Sequence, residues 1–197
     1  MTYDTFLSLV MLAFGTLYTP GPNNAMLANS GATFGVKRSV PHTLGVATGF
    51  GFMLTGVSVG LGAVFEWLPQ LRTALLIVSV GVLLWLAYKI AMTGSLSRGK
   101  GEARPFTYTE AVAFQWINPK AWAMAMSVTV GFASSWMSSA IAVVTFVLLG
   151  LGSAFGWMLI GAALQKWLEI GDRLKWFNRF MAALIVLSVF LMLKDAF

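Results

Sequence analysis

Cysteine is absent from the 197 residues, so disulfides and thiolate chemistry are excluded and the redox compartment leaves no trace. Charge is scarce too. Only 10% of the residues are Asp, Glu, Lys or Arg, against about a quarter in soluble domains, while 58% are hydrophobic and the mean hydropathy is +0.79. That composition cannot build a water-facing surface, and the chain belongs in a lipid bilayer. His42 is the single histidine, so no metal-binding histidine pair exists. Nor is there a catalytic carboxylate pair or a nucleophile with its base. No enzyme, cofactor or resident metal is expected. The net charge of +6 does not point to nucleic acid, because the basic residues are scattered between apolar runs and form no patch beside stacking aromatics. The first apolar run follows Asp4 with no Lys or Arg before it. It lacks the basic leader of a cleaved signal peptide and is expected to be retained.

What is there is a series of apolar segments near spanning length. They fall at about 5–34 (interrupted), 43–65, 73–92, 110–132, 138–164 and 177–193. The expected fold is an all-α integral membrane protein of six transmembrane helices in a single domain. Residues 93–109 form the longest polar stretch, with Gly94, Gly99, Gly101, Pro105, Arg98, Lys100 and Arg104. It reads as a cytoplasmic linker between a first half of about 1–92 and a second of about 110–197. Basic residues follow the first span (Lys37, Arg38), the third (Lys89, Arg98, Lys100, Arg104) and the fifth (Lys166, Arg173, Lys175, Arg179). The alternate side carries Arg72 and Lys194 beside Asp4, Glu66 and Asp195. The positive-inside rule then puts both termini on the non-cytoplasmic side. Trp67, Trp136, Trp167 and Trp176 sit near span ends, where an aromatic belt belongs.

Three helices per half means the halves enter the membrane from opposite sides, as in an inverted repeat. The first helix of each half is broken: Pro20-Gly21-Pro22-Asn23-Asn24 in one, Asn118-Pro119-Lys120 in the other. The second helix of each is glycine-rich, with Gly45-x-x-x-Gly49 and Gly152-x-x-x-Gly156. Those stripes serve close packing, within one chain or in a homo-oligomer, or hinge the moving parts. Lipid cannot satisfy the backbone groups that a proline frees, so such breaks survive only against protein or a water-filled cavity. Paired breaks in corresponding helices point to a binding site at the midplane of a carrier.

The chemistry of the breaks follows from helix ends. The upstream half of the first break ends near Leu17-Tyr18-Thr19, leaving carbonyls with partial negative charge. The downstream half starts with Pro22 at the first helical position, where the missing N–H costs nothing, and presents the amides of Asn23, Asn24 and Ala25. Asn118 is a good N-cap with Pro119 after it, and Lys120 adds a full charge. If the breaks face each other, a carboxylate sits on the amides near Asn23 and Lys120, and an ammonium on the open carbonyls of the first half. That combination suits a small zwitterion, an amino acid. Blander roles fit other residues. Glu110 follows Thr107 at a helix start and reads as a cap more than a proton relay. His42, beside Pro41 at a cytoplasmic helix start, reads as a surface residue. Trp116 and Trp122 flank the second break as cavity walls or ordinary packing.

Thr19-Pro20-Gly21-Pro22-Asn23, Gly45 with Gly49, and Asn118-Pro119-Lys120-Ala121 together resemble the lysine exporter (LysE/RhtB) superfamily of bacterial amino-acid efflux carriers, over essentially the whole chain. The resemblance implies export of an amino acid or close derivative across the bacterial inner membrane, driven by the proton or membrane gradient, with protons and the small molecule as partners. Val130-Gly131-Phe132 stands where many relatives carry a Pro-Gln-Phe-like turn, so no subfamily substrate is carried over. The alternative is a metal-ion or other small-cation permease of the same superfamily. Against it, the expected core lacks Asp, Glu, His and Cys ligands, and Lys120 repels cations. A pore is the remaining class, but closed polar breaks suit an occluding site better. No carboxylate is clearly placed within the bilayer, so Lys120 or the substrate's own ionisation is left to couple the proton.

Overall fold

The computed structural model describes residues 1–60, 67–92 and 104–196, the side chains of Pro69, Arg72, Met192, Asp195 and Ala196 excepted. Most of the expected linker, the last part of the second expected span and Glu66 therefore lie outside the described residues. Within them the chain is all helical: α1 (Tyr3–Leu17), α2 (Pro22–Ser58), α3 (Pro69–Met92), α4 (Tyr108–Ile117), α5 (Pro119–Phe132), α6 (Trp136–Leu168) and α7 (Arg173–Ala196). Three stretches are long and apolar enough to cross a membrane, Thr73–Met92, Trp136–Leu168 and Arg173–Leu191, and Tyr3–Leu17 is a shorter apolar helix. Large apolar side chains such as Ile77, Leu148 and Phe190 are about two-thirds exposed. Water would punish such a surface and lipid would not, which is consistent with an integral membrane protein.

Both breaks form where proline dictates. α1 ends at Leu17, and α2 begins with Pro22 after an extended Gly21 (φ −178°, ψ 179°). Asn118 is at once the last cap of α4 and the first cap of α5, with Pro119 following. The stretch between the first two expected spans behaves differently. Helix runs straight through Lys37, Arg38 and Pro41, and the only non-helical residue is Gly35 (φ 74°, ψ 175°). Glycine adopts that left-handed geometry without a Cβ penalty. The connection thus shrinks to a one-residue elbow that divides α2 into arms 22–34 and 36–58.

The elbow corrects the reading of His42. It is only 2% exposed, its Nδ1 lies 2.9 Å from Ser30 Oγ on the other arm, and its ring packs at 5.4 Å on Phe106. It is a core residue tying the two arms together. Glu110 does cap: Thr107 Oγ1 accepts from the Glu110 N–H at 3.2 Å, and Glu110 Oε2 accepts from the Thr107 N–H at 2.8 Å. Arg104 adds two bonds of 2.6 and 2.7 Å to the same carboxylate.

Among the described residues four apolar clusters hold the helices, and two of them are large. One joins α3 and α7 to the first arm of α2 and Phe114. The other joins α1, the second arm of α2, α5 and α6 around Phe50, Met53 and Phe146. The closest helix crossing is between α2 and α6. A Cβ at Gly31 would land on the Met158 carbonyl, and one at Gly161 on the Ala28 carbonyl. Backbone here rests on backbone, as small residues permit.

Candidate functional site

The two breaks meet. Lys120 Nζ at the start of α5 donates to Thr19 Oγ1 at 2.9 Å and to the Thr19 carbonyl at 3.3 Å. Asn23 Nδ2 at the start of α2 donates to Gln115 Oε1 at 2.9 Å, in the last turn of α4. A Cβ at Gly21 would stand 3.0 Å from Lys120 Nζ. The contacts enclose a cavity of about 50 Å³ walled by the end of α1, the start of α2, its second arm, the α4–α5 junction and α6. That is space for a few water-sized groups. A second cavity of about 270 Å³ lies between α1 and α5 and shares Thr16, Lys120, Met124 and Phe146 with the first. Lys120 therefore stands in the wall of both.

Of the residues singled out from the sequence, Gly21, Pro22, Asn23, Asn24, Asn118 and Lys120 line the smaller cavity, while Pro20 and Pro119 do not. Pro20 and Pro119 shape the breaks and stay out of the wall. The carbonyl end of α1 is a correction. Its Leu17 and Thr19 carbonyls are not open to an ammonium group, because neighbouring donors already fill them. Asn24 Nδ2 donates to the carbonyls of Leu17 and Thr19, each at 2.8 Å. Ser153 Oγ donates to Leu17 O at 2.8 Å, and Thr19 Oγ1 to Thr16 O at 3.0 Å. The N-terminal amides are also partly spent. The Ala25 N–H bonds to Gly21 O at 2.9 Å, and the Lys120 N–H to Asn118 Oδ1 at 3.1 Å. α2 has no side-chain cap, and the N–H groups of Asn23 and Asn24 find no acceptor among the described residues. They remain as donors at a positive helix end.

Among the described residues no carboxylate comes within ion-pair distance of Lys120; the one salt bridge is Arg104–Glu110. The site is thus rich in donors and positive charge, with an apolar floor from Val46, Ala47, Phe50, Phe146 and Ala154. No group of three or more His, Cys, Asp or Glu side chains gathers anywhere among the described residues. Trp116 and Trp122 pack edge to face at 5.9 Å, and Trp122 Nε1 donates to the Trp116 carbonyl at 2.8 Å. Neither lines the cavity.

The glycines separate into kinds. Gly45 and Gly49 let the second arm of α2 close onto α4, where a Cβ would come 2.5 Å from the Tyr108 carbonyl and 2.8 Å from Val112 Cα respectively. A Cβ at Gly152 would come 2.9 Å from the Tyr18 hydroxyl, and one at Gly156 would meet nothing within 4 Å. The sequence reading passed over Gln115, which is wholly buried, as well as Ser153 and the Gly31–Gly161 crossing. Gln115 did carry a signal, since an amide inside an apolar span needs a reason to be there.

The family model of the LysE type translocators matches residues 13–195. The chain is 29% identical over 163 residues to proteins of Escherichia coli (strain K12) and Shigella flexneri named cysteine/O-acetylserine efflux protein, covering 77% of this chain and 79% of each relative. No solved structure matches it. The family match runs through both breaks: this chain belongs to the LysE type translocator family and is a transporter, not an enzyme.

Proposed function

We propose that the transporter exports a small amino acid or amino-acid derivative from the bacterial cytoplasm through the junction of its two broken helices. The observation that carries this reading is the pair of contacts across the breaks, Lys120 to Thr19 and Asn23 to Gln115, around one cavity. The substrate carboxylate lies on the Asn23 and Asn24 amides and the Lys120 ammonium, a cation in need of a counter-charge in a poorly solvated place. Gly21, Pro22 and Asn118 form the wall around it, while Pro20 and Pro119 keep the two helices open there. A cavity of about 50 Å³ favours a short side chain, and the names of the relatives, cysteine and O-acetylserine efflux, point the same way.

The architecture in this reading is six spans in two inverted repeats. The order α1, break, α2, α3 runs parallel to α4, break, α5, α6, α7. Both termini lie outside the cytoplasm, since Lys37, Arg38, Lys89, Arg104, Lys166, Arg173, Lys175 and Arg179 then share the inner side. Export is coupled to the proton gradient. The test is depletion from proteoliposomes preloaded with the common amino acids and O-acetylserine, with and without an imposed proton gradient, read by mass spectrometry. Selective, gradient-dependent loss of a few small amino acids is expected. No loss of any of them from vesicles holding folded protein would overturn the reading.

A further inference from the structure

A residue of the cavity at the breaks carries an acceptor with no donor. Asn23 lines it, and Asn23 Oδ1 is buried without a hydrogen-bond partner, one of two side-chain polar atoms in that condition among the described residues, with Thr33 Oγ1 the other. Buried polar atoms are almost always satisfied, so an orphan on a residue that lines a cavity asks what satisfies it in use.

The neighbours decide that the orphan is an oxygen. The Ala111 carbonyl can only accept. It lies 2.9 Å from the Gln115 amide nitrogen, so the Gln115 NH₂ group must face it. Gln115 is 0% exposed, and turning its amide over would set two oxygens against each other. Gln115 Oε1 therefore faces Asn23 and can only accept, which draws Asn23 Nδ2 to it at 2.9 Å. Asn23 is left with its oxygen unanswered. A backbone carbonyl on α4 thus fixes the polarity of an atom on α2, through two amides in series.

The protein offers that oxygen no donor. None among the described residues lies within hydrogen-bond distance of it, and the Lys120 ammonium turns two of its three N–H groups to Thr19 Oγ1 and O. A substrate carboxylate has only acceptors and would be repelled. A substrate ammonium has three donors and a charge that shortens and strengthens the bond. We infer that Asn23 Oδ1 is the subsite for the substrate's α-ammonium group, with Gln115 the positioning residue that aims it. The inference rests on the exporter reading and deepens it. It replaces the α1 carbonyls, which Asn24 and Ser153 occupy, as the place where the amino group is read. It also makes the α-amino group a condition of recognition: the deamino acid loses this bond and leaves the oxygen orphaned.

The test is equilibrium binding to purified, detergent-solubilised protein, which avoids leakage of small acids through vesicles. The probes are two pairs that differ only in the amino group: L-cysteine against 3-mercaptopropionate, and L-serine against 3-hydroxypropionate. The wild type should prefer each amino acid by about 10- to 100-fold, the range of a hydrogen bond to a charged group. Asn23→Leu, similar in shape but without the acceptor, should bring the ratio within about threefold. Asn23→Asp keeps an acceptor there but sets its other oxygen against Gln115 Oε1, so it should bind both members of each pair less tightly and still keep the preference. If Asn23→Leu does not fold, Asn23→Ala, which also removes the acceptor, carries the same test. An Asn23→Leu or Asn23→Ala variant that weakens amino and deamino acids equally, leaving the ratio unchanged, would overturn the ammonium subsite and leave the exporter reading standing. Failure of both amino acids to bind folded wild type would overturn the two together.

Discussion

Replacing Asn24 with alanine removes the amide that closes the first break. Its Nδ2 bonds the carbonyls of Leu17 and Thr19, both at 2.8 Å, and the residue is buried. Two bonds at a net value near 1 kcal/mol each put the loss at about 2 kcal/mol. The Leu17 carbonyl is not stranded, because Ser153 Oγ still donates to it at 2.8 Å. Ser153→Ala alone costs about 1 kcal/mol by the same reasoning, with Asn24 as the remaining donor. The double variant takes both donors from Leu17 O and exposes the full desolvation penalty of a buried carbonyl, so it should exceed the sum by about 1 kcal/mol. In a chain of this size each kcal/mol moves Tm by about 2–4 °C. Thermal unfolding in detergent should then show falls of about 4–8 °C for Asn24→Ala, about 2–4 °C for Ser153→Ala and about 8–16 °C together. Additive falls would refute the shared acceptor. A fall under about 1 °C for Asn24→Ala would refute the clasp itself.

Gly31→Ala and Gly161→Ala should be the most damaging glycine substitutions, since each methyl overlaps a backbone carbonyl of the other helix and overpacking costs about 1–3 kcal/mol or more where backbone cannot yield; Gly156→Ala, whose added methyl would meet nothing within 4 Å, should leave Tm within about 1 °C. Glu110→Gln breaks the Arg104 ion pair and weakens the cap at an exposed helix start. The cap reading expects a small loss of Tm with gradient-driven transport unchanged, whereas loss of proton coupling in the folded variant would make Glu110 a relay.

The breaks were legible because proline acts locally. Pro22 and Pro119 deny a backbone donor wherever they stand, and the structure opens the helices there. Residues 35–42 were not, because the polarity of Lys37 and Arg38 looks like a loop while one glycine dihedral suffices for the turn. His42 failed for a different reason. Its burial comes from Ser30 on the other side of that elbow and from Phe106 beyond the linker, and no local pattern announces either. Helix-end logic pointed to the candidate site but could not say which carbonyls and amides were still available. That depended on Asn24 folding back on its own break and on Ser153, more than a hundred residues away. The Gly31–Gly161 crossing had a faint local sign in the spacing of Ala28, Gly31, Ala32 and Gly35, but its partner on α6 is fixed only by the fold.

Whether substrate passes through the junction is tested most directly at Lys120, which bridges the breaks and borders both cavities. The measurement is counterflow of labelled L-cysteine in proteoliposomes holding wild type or Lys120→Met, each shown to be folded by gel filtration and thermal unfolding. Counterflow in the wild type and its loss in Lys120→Met, at least about 10-fold as befits a charged carboxylate contact, is the expected result. Undiminished counterflow in folded Lys120→Met would contradict the claim that the junction of the two broken helices carries the substrate.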